Sequence, residues 1–371
     1  MIDIPATYES SRDRFRASLA SFSDLGFAPV LTSIPLADDS GLTIDIIRTD
    51  ATRDKQRLLI LTTGLHGIEG YVGAGILKLF TEEYLPRFDP ETTGVLLVHP
   101  INPYGMKHRM RVNKNNVDLN RNFNDNFETM KSINPHYESM DFLLNPARAL
   151  KSPLYEKSAF FFNTLQALPK GVSHIRETAL MGQYRIKDGM YFGGFEMQEE
   201  TQVMMKILAS APNDYTQIVF LDIHTGYGPR WQMTLLNPPS EKKTAAETAS
   251  RFKVPSVAGV NPDEFYSING DMVEYFCKML MAKHPEKQVY AGAFEFGTYG
   301  DSLWQGIRSL RTTVLENMLR HFDGSEAARK WTLREYDELF LPSDPKWREK
   351  AAHDARQAFD GIFSTEGFFG I

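Results

Sequence analysis

Four short runs of consecutive apolar residues stand out along the chain: Leu58-Leu59-Ile60-Leu61, Val95-Leu96-Leu97-Val98, Ile218-Val219-Phe220-Leu221 and Val289-Tyr290-Ala291-Gly292-Ala293-Phe294. Each is brief and mostly branched or aromatic, which predicts strands buried on both faces in the middle of a sheet. The segments 70–84, 199–209, 271–283 and 302–322 instead carry helical composition and spacing. Strands alternating with helices predict an α/β fold, a parallel or mixed sheet between helix layers. No repeat, low-complexity tract or Gly/Ser linker marks a domain boundary. In such sheets ligands gather beyond the carboxyl ends of the strands, so the residues after each apolar run are where chemistry is expected.

After the first run comes Thr62-Thr63-Gly64-Leu65-His66-Gly67-Ile68-Glu69-Gly70, a turn entering a helix. His66 and Glu69 are three apart and share a helix face, so both side chains can reach one cation. His174-Ile175-Arg176-Glu177 repeats the spacing without following a strand and reads as a solvated surface segment. The second run leads into the turn His99-Pro100-Ile101-Asn102-Pro103-Tyr104-Gly105, then Arg109, Arg111 and Val117-Asp118-Leu119-Asn120-Arg121-Asn122-Phe123. Three arginines and several asparagines beside a strand end suit a carboxylate or a developing oxyanion, although loop arginines are also commonly solvated. The third run ends Leu221-Asp222-Ile223-His224-Thr225-Gly226. Here a histidine lies next to an aspartate able to orient it, and with His66 and Glu69 at a neighbouring strand end a metal site is the better reading. Glu295 ends the fourth run amid Phe and Ala. It is either a salt-bridged strand-end carboxylate or one whose raised pKa suits a general acid or base.

The formal net charge is −6 and no long basic run occurs, which argues against nucleic acid or an anionic membrane as partner. Hydrophobic residues make up 42% and charged residues 24%, which excludes disordered and fibrous classes. Cys277 is a single cysteine in an apolar helical stretch and is expected in the core. The N-terminal segment shows no secretory pattern and no run approaches a membrane span, so a cytoplasmic enzyme or binding protein is expected, with small molecules or peptides as its partners.

His66-x-x-Glu69, Asn102-Pro103-x-Gly105, Asp118-x-Asn120-Arg121-Asn122, Asp222-Ile223-His224-Thr225-Gly226 and Glu295, in this order, resemble the motifs of zinc carboxypeptidases of the carboxypeptidase A type. The likeness is nearer still to the bacterial branch of metallopeptidase-like proteins in that superfamily, related to succinylglutamate desuccinylase and aspartoacylase. It spans about 66–300 and implies a three-layer α/β/α, carboxypeptidase-like fold with a mixed central sheet, one domain over 1–371. It implies that His66, Glu69 and His224 hold one Zn per chain with a water at an open position, the ligand set of a catalytic zinc. Glu295 would then take the proton of that water and pass it to the leaving amine. Arg111, in preference to Arg109, would stabilise the oxyanion. Asn120 and Arg121, with Arg109 nearby, would hold the substrate, and Tyr266 in Tyr266-Ser267-Ile268-Asn269-Gly270 matches a mobile tyrosine of the family.

About a hundred residues separate Arg121 from His224, which leaves room for an insertion at roughly 124–198 containing Gly182-Gln183-Tyr184 and Tyr191-Phe192-Gly193-Gly194. A long irregular insert beside an active site is expected as a lid or specificity loop, or else as a surface embellishment. The activity implied is a zinc hydrolase cleaving an amide next to a free carboxylate. An N-acyl amino acid deacylase is the alternative, and a catalytically inactive zinc-binding protein is the alternative from another class.

Overall fold

A computed structural model of the chain describes residues 1–37, 39–261 and 268–369. The four apolar runs form adjacent strands. In chain order the strands are β1 Val30–Leu36, β2 Asp39–Thr49, β3 Arg57–Thr63, β4 Thr93–His99, β5 Gln217–Gly226, β6 Met233–Asn237, β7 Val257–Gly259 and β8 Gln288–Gly297. They make one sheet in the order β1-β2-β4-β3-β5-β8-β6-β7. The centre, β4-β3-β5-β8, is parallel. Antiparallel pairing of β2 with β4 and of β6 with β8 makes the sheet mixed. β4 is buried along its whole length, and β3 and β5 at every residue but the first, because helices cover both faces and no position is left for a polar side to alternate.

The helices Gly70–Glu83, Glu199–Ser210, Met272–Lys283 and Leu303–Phe322 fall where the spacing places them. Two more, Glu326–Phe340 and Pro345–Thr365, complete the layers. Buried Trp347, Ala351, Ala355, Phe359 and Phe363 of the last helix join the main core. Cys277 is buried there as well.

The 124–198 segment is not irregular, as the sequence had suggested. It holds the helices Phe127–Met130, Asp141–Leu144, Pro153–Ala167 and Val172–Leu180. These build a second apolar cluster, in which Tyr137, Met140, Leu144, Phe160 and Ile175 pack with Val314, Leu315 and Met318 of the Leu303–Phe322 helix. Among the described residues no helix is long and apolar enough to cross a membrane.

Candidate metal centre

His66 lies three residues beyond β3, at the start of the 3-10 turn Gly67–Glu69. A side chain cannot replace the hydrogen of Gly67: a Cβ there would lie 2.1 Å from the carbonyl carbon of Gly105. This close approach presses the His66-x-x-Glu69 turn against the Asn102-Pro103-x-Gly105 turn. Ile68 N donates to Met110 O at 2.9 Å, fixing the two loops together. His224 pairs in register with Glu295 across β5 and β8, so their side chains leave the same sheet face at the carboxyl ends of adjacent parallel strands.

Donor atoms of His66, Glu69 and His224 all lie within 4.8 Å of one another, and all three residues are buried. His66 Nδ1 is 2.9 Å from Glu69 Oε1, His224 Nδ1 is 3.0 Å from Glu69 Oε2, and the two Nδ1 atoms are 3.2 Å apart. A tetrahedral zinc with bonds of about 2.0–2.1 Å keeps its ligand atoms about 3.3 Å apart, close to this spacing. The far nitrogens are engaged with carboxylates: His66 Nε2 with Asp118 Oδ1 at 3.1 Å and His224 Nε2 with Asp222 Oδ2 at 2.6 Å. Those carboxylates hold the ring protons on Nε2 and leave Nδ1 of both rings as lone pairs facing each other. Two lone pairs at that distance repel unless a cation lies between them, so the donor set fits a metal ion.

Electrostatics agree. Burial favours a neutral Glu69, but the facing imidazoles His66 and His224 outweigh it and hold the carboxyl well below its ordinary range. Asp118 is likewise lowered against the effect of burial, chiefly by Arg111. Burial opposes charge on His224, yet the Asp222 and Glu69 carboxylates outweigh it and raise its affinity for a proton well above normal. Glu295 is different: burial first, then the charge of Glu69, push its carboxyl up to about 8 although Tyr227 N donates to it at 2.9 Å.

Arg111 Nη1 reaches Glu69 Oε1 at 3.2 Å and its Nε reaches Asp118 Oδ2 at 3.0 Å. Asn120 Nδ2 donates to Asp271 Oδ2 at 3.0 Å. Arg111, Asn120, His66, His224 and Glu295 all line one cavity of about 640 Å³.

Two expectations need correction. Arg109 turns away from the centre: it is 3.4 Å from Asp337 Oδ1 and stacks on Tyr71. Arg121 is fully buried, not exposed to a substrate. Its Nη1 donates to Asn120 O at 3.0 Å and its Nη2 to Leu180 O at 2.6 Å, and its side chain packs on Gly182. Leu180 and Gly182 belong to the inserted segment, which closes over the guanidinium. Tyr266 lies outside the described residues. His174 and Glu177 sit on the Val172–Leu180 helix, where His174 packs against His136, away from the cluster.

Other residues at the cavity were given no role by the sequence reading. Tyr191 lies with its ring under Arg111 at 5.2 Å and Arg121 at 5.8 Å, held at a positive φ of 53° that a bulky residue adopts only under tertiary constraint. Its signal was the Tyr-Phe-Gly-Gly tetrapeptide. Asp271, Arg176 and Tyr227 also line the cavity, and Arg176 donates to the Tyr227 hydroxyl. Asp271 sits at the N-cap of a predicted helix, where capping alone explains an aspartate.

Similar structures include bovine thrombin-activatable fibrinolysis inhibitor in complex with tick carboxypeptidase inhibitor, 12% identical with a TM-score of 0.49, the match covering 86% of this chain and 97% of that one. Carboxypeptidase A from Helicoverpa armigera is 15% identical with a TM-score of 0.45, over 90% of this chain and 74% of its own. An aspartoacylase family protein from Mesorhizobium loti is 13% identical with a TM-score of 0.38, over 80% and 67%. No curated protein matches the sequence. A family model does match, over residues 5–354, and the chain belongs to that family, described as protein of unknown function (DUF2817).

Proposed function

We propose that the protein is a zinc-dependent hydrolase that cleaves an amide bond in a peptide or N-acyl amino acid bearing a free carboxylate. The observation that carries this reading is the convergence of His66 Nδ1, His224 Nδ1 and the Glu69 carboxylate beside a cavity that Glu295 and Arg111 also line. Held by those three residues, a zinc ion would supply Lewis acidity, lowering the pKa of water and polarising a carbonyl.

The chain's own groups supply the rest. Glu295, buried and raised, accepts a proton from the attacking water as the C–O bond forms and returns it to the nitrogen as the C–N bond breaks, giving an acid and an amine. Arg111 and Asn120 present N–H donors to the cavity, suited to the oxygen that gains charge. With Arg121 buried, Arg176, which lines the cavity and donates to the Tyr227 hydroxyl, is assigned to a substrate carboxylate.

Metal analysis of zinc-loaded protein and turnover on peptides and N-acyl amino acids, free or amidated at the carboxylate, test this. One zinc per chain is expected, lost in His66→Ala and in His224→Ala. Glu295→Gln is expected to keep zinc and melting temperature while losing about 10²–10⁴ in kcat. Zinc retention in both histidine variants, or no turnover of any substrate by fully loaded protein, overturns the proposal.

A further inference from the structure

The cavity extends well past the metal centre. Leu143, Phe160 and Val172 of the inserted segment line it, and so do Ile307 and Leu310 of the helix Leu303–Phe322. On that helix Leu303, Gly306, Ile307 and Leu310 follow the i, i+3, i+4, i+7 spacing of a core-facing stripe, yet this stripe also lines the cavity, with Ile307 and Leu310 only partly buried against the second cluster. Leu303 is 54% exposed and Val172 44%.

Gly306 adds a second observation. A glycine inside a helix costs stability and is retained where the backbone needs it or a neighbour leaves no room for Cβ. Neither applies: its φ is helical and a Cβ would meet no atom within 4 Å. By contrast a Cβ at Gly361, also helical, would run into Phe252 O. Gly306 is exposed and lines the cavity, so a side chain placed there would project into its open side.

Resting on the hydrolase reading above, we propose that this lobe takes an extended apolar group of the substrate, so that the preferred substrates are amides carrying a long aliphatic or aromatic arm, with Gly306 leaving room for it at the open side. Continuity argues for that occupant: the same cavity is lined by His66, His224 and Glu295, so an arm in the lobe and an amide at the metal centre belong to one molecule. Cavities of this volume and apolar character are the usual form of small-molecule sites.

The test uses zinc-loaded protein and N-acylglycines of 2, 6, 10 and 14 acyl carbons, with N-benzoylglycine to separate aromatic from straight-chain arms. The ratio kcat/KM is expected to rise by up to about fourfold per added methylene until the lobe is filled. In Gly306→Leu the side chain occupies the lobe. The melting temperature should not fall, and the ratio of kcat/KM for the 10-carbon over the 2-carbon substrate should drop at least about tenfold. Calorimetric binding of N-dodecanoylglycine to metal-free protein reads the lobe separately, and the Kd should weaken at least about tenfold in Gly306→Leu. Hydrolysis indifferent to chain length in both proteins overturns the inference and leaves the hydrolase reading standing. Tight, Gly306-sensitive binding without hydrolysis supports the lobe and overturns the hydrolase reading. Binding that Gly306→Leu leaves unchanged overturns the lobe.

Discussion

Arg121→Ala separates a binding role from a structural one. If Arg121 held a substrate carboxylate, its loss would remove a charge-assisted bond of about 1.5–3 kcal/mol from substrates with a free carboxylate and spare amidated ones. The structure predicts another outcome. The side chain is fully buried and donates to the carbonyls of Asn120 and Leu180. Truncation strips a buried acceptor on Asn120 and a half-buried one on Leu180 of their donor, at about 1–3 kcal/mol each at most, or up to about 2–6 kcal/mol together. For 371 residues the unfolding entropy is about 0.8 kcal/mol/K, so this corresponds to a fall in melting temperature of roughly 3–8 °C. Scanning calorimetry gives the shift, and kcat/KM on paired free and amidated substrates gives the selectivity. Arg121→Ala should lower Tm and affect both substrates alike, while Arg176→Ala should spare Tm and penalise the free carboxylate. An unchanged Tm with a loss confined to free-carboxylate substrates in Arg121→Ala would refute the argument from burial.

Asp222 is fully buried, with one oxygen on His224 Nε2 and the other accepting from Thr62 Oγ1 at 2.6 Å. Asp222→Asn removes the charge that orients the imidazole and should weaken zinc binding about 10–100-fold by competition with a chelator; an unchanged Kd would show that His224 needs no such partner. His99 is buried between hydroxyls, Nε2 at 2.8 Å from Ser11 Oγ and Nδ1 at 2.6 Å from Thr63 Oγ1, and burial pushes its pKa down to about 3. Below the unfolded value of about 6.5 the unfolded chain binds a proton that the folded ring refuses, so this group's contribution is intact above about pH 6.5 and is lost as pH falls towards 3. At pH 5 the loss is about 2 kcal/mol. In urea titrations at pH 7.5 and 5, His99→Gln should lose about that much less between the two than wild type does; equal losses would mean that His99 is not held neutral.

The centre of the sheet was legible because strands covered on both faces must be apolar at every position, and β3, β4 and β5 announce themselves that way. The edge was not. Strand β1 mixes exposed and half-buried positions without regular alternation, with Pro35 near its end, and β7 has three half-buried residues, so neither carries a strong period. The helix Glu326–Phe340 was also unread, although its packing reaches the site: Tyr336 accepts Arg111 N at 3.0 Å through its hydroxyl, and Phe340 O accepts the hydroxyl of Thr225 at 2.6 Å. Its buried positions are spread among charged residues, and nothing local shows what they face.

For the site, what the sequence conveys depends on whether a residue's surroundings come from its own loop. His66 and Glu69 share a turn, and His224 and Glu295 share a register, so short segments already imply how they meet. Asp118-x-Asn120-Arg121 is the opposite case. Asp118 and Asn120 keep to the centre, one on His66 and Arg111 and the other at the cavity, but the fate of Arg121 is decided by Leu180 and Gly182, some sixty residues on in the chain. The same inserted segment that buries this cation brings Arg176 and an apolar wall to the cavity. One arginine is withdrawn from the cavity by the segment that delivers another. The motif therefore marks the candidate metal centre, while on the hydrolase reading proposed above the inserted helices that pack against Val314, Leu315 and Met318 would set substrate choice.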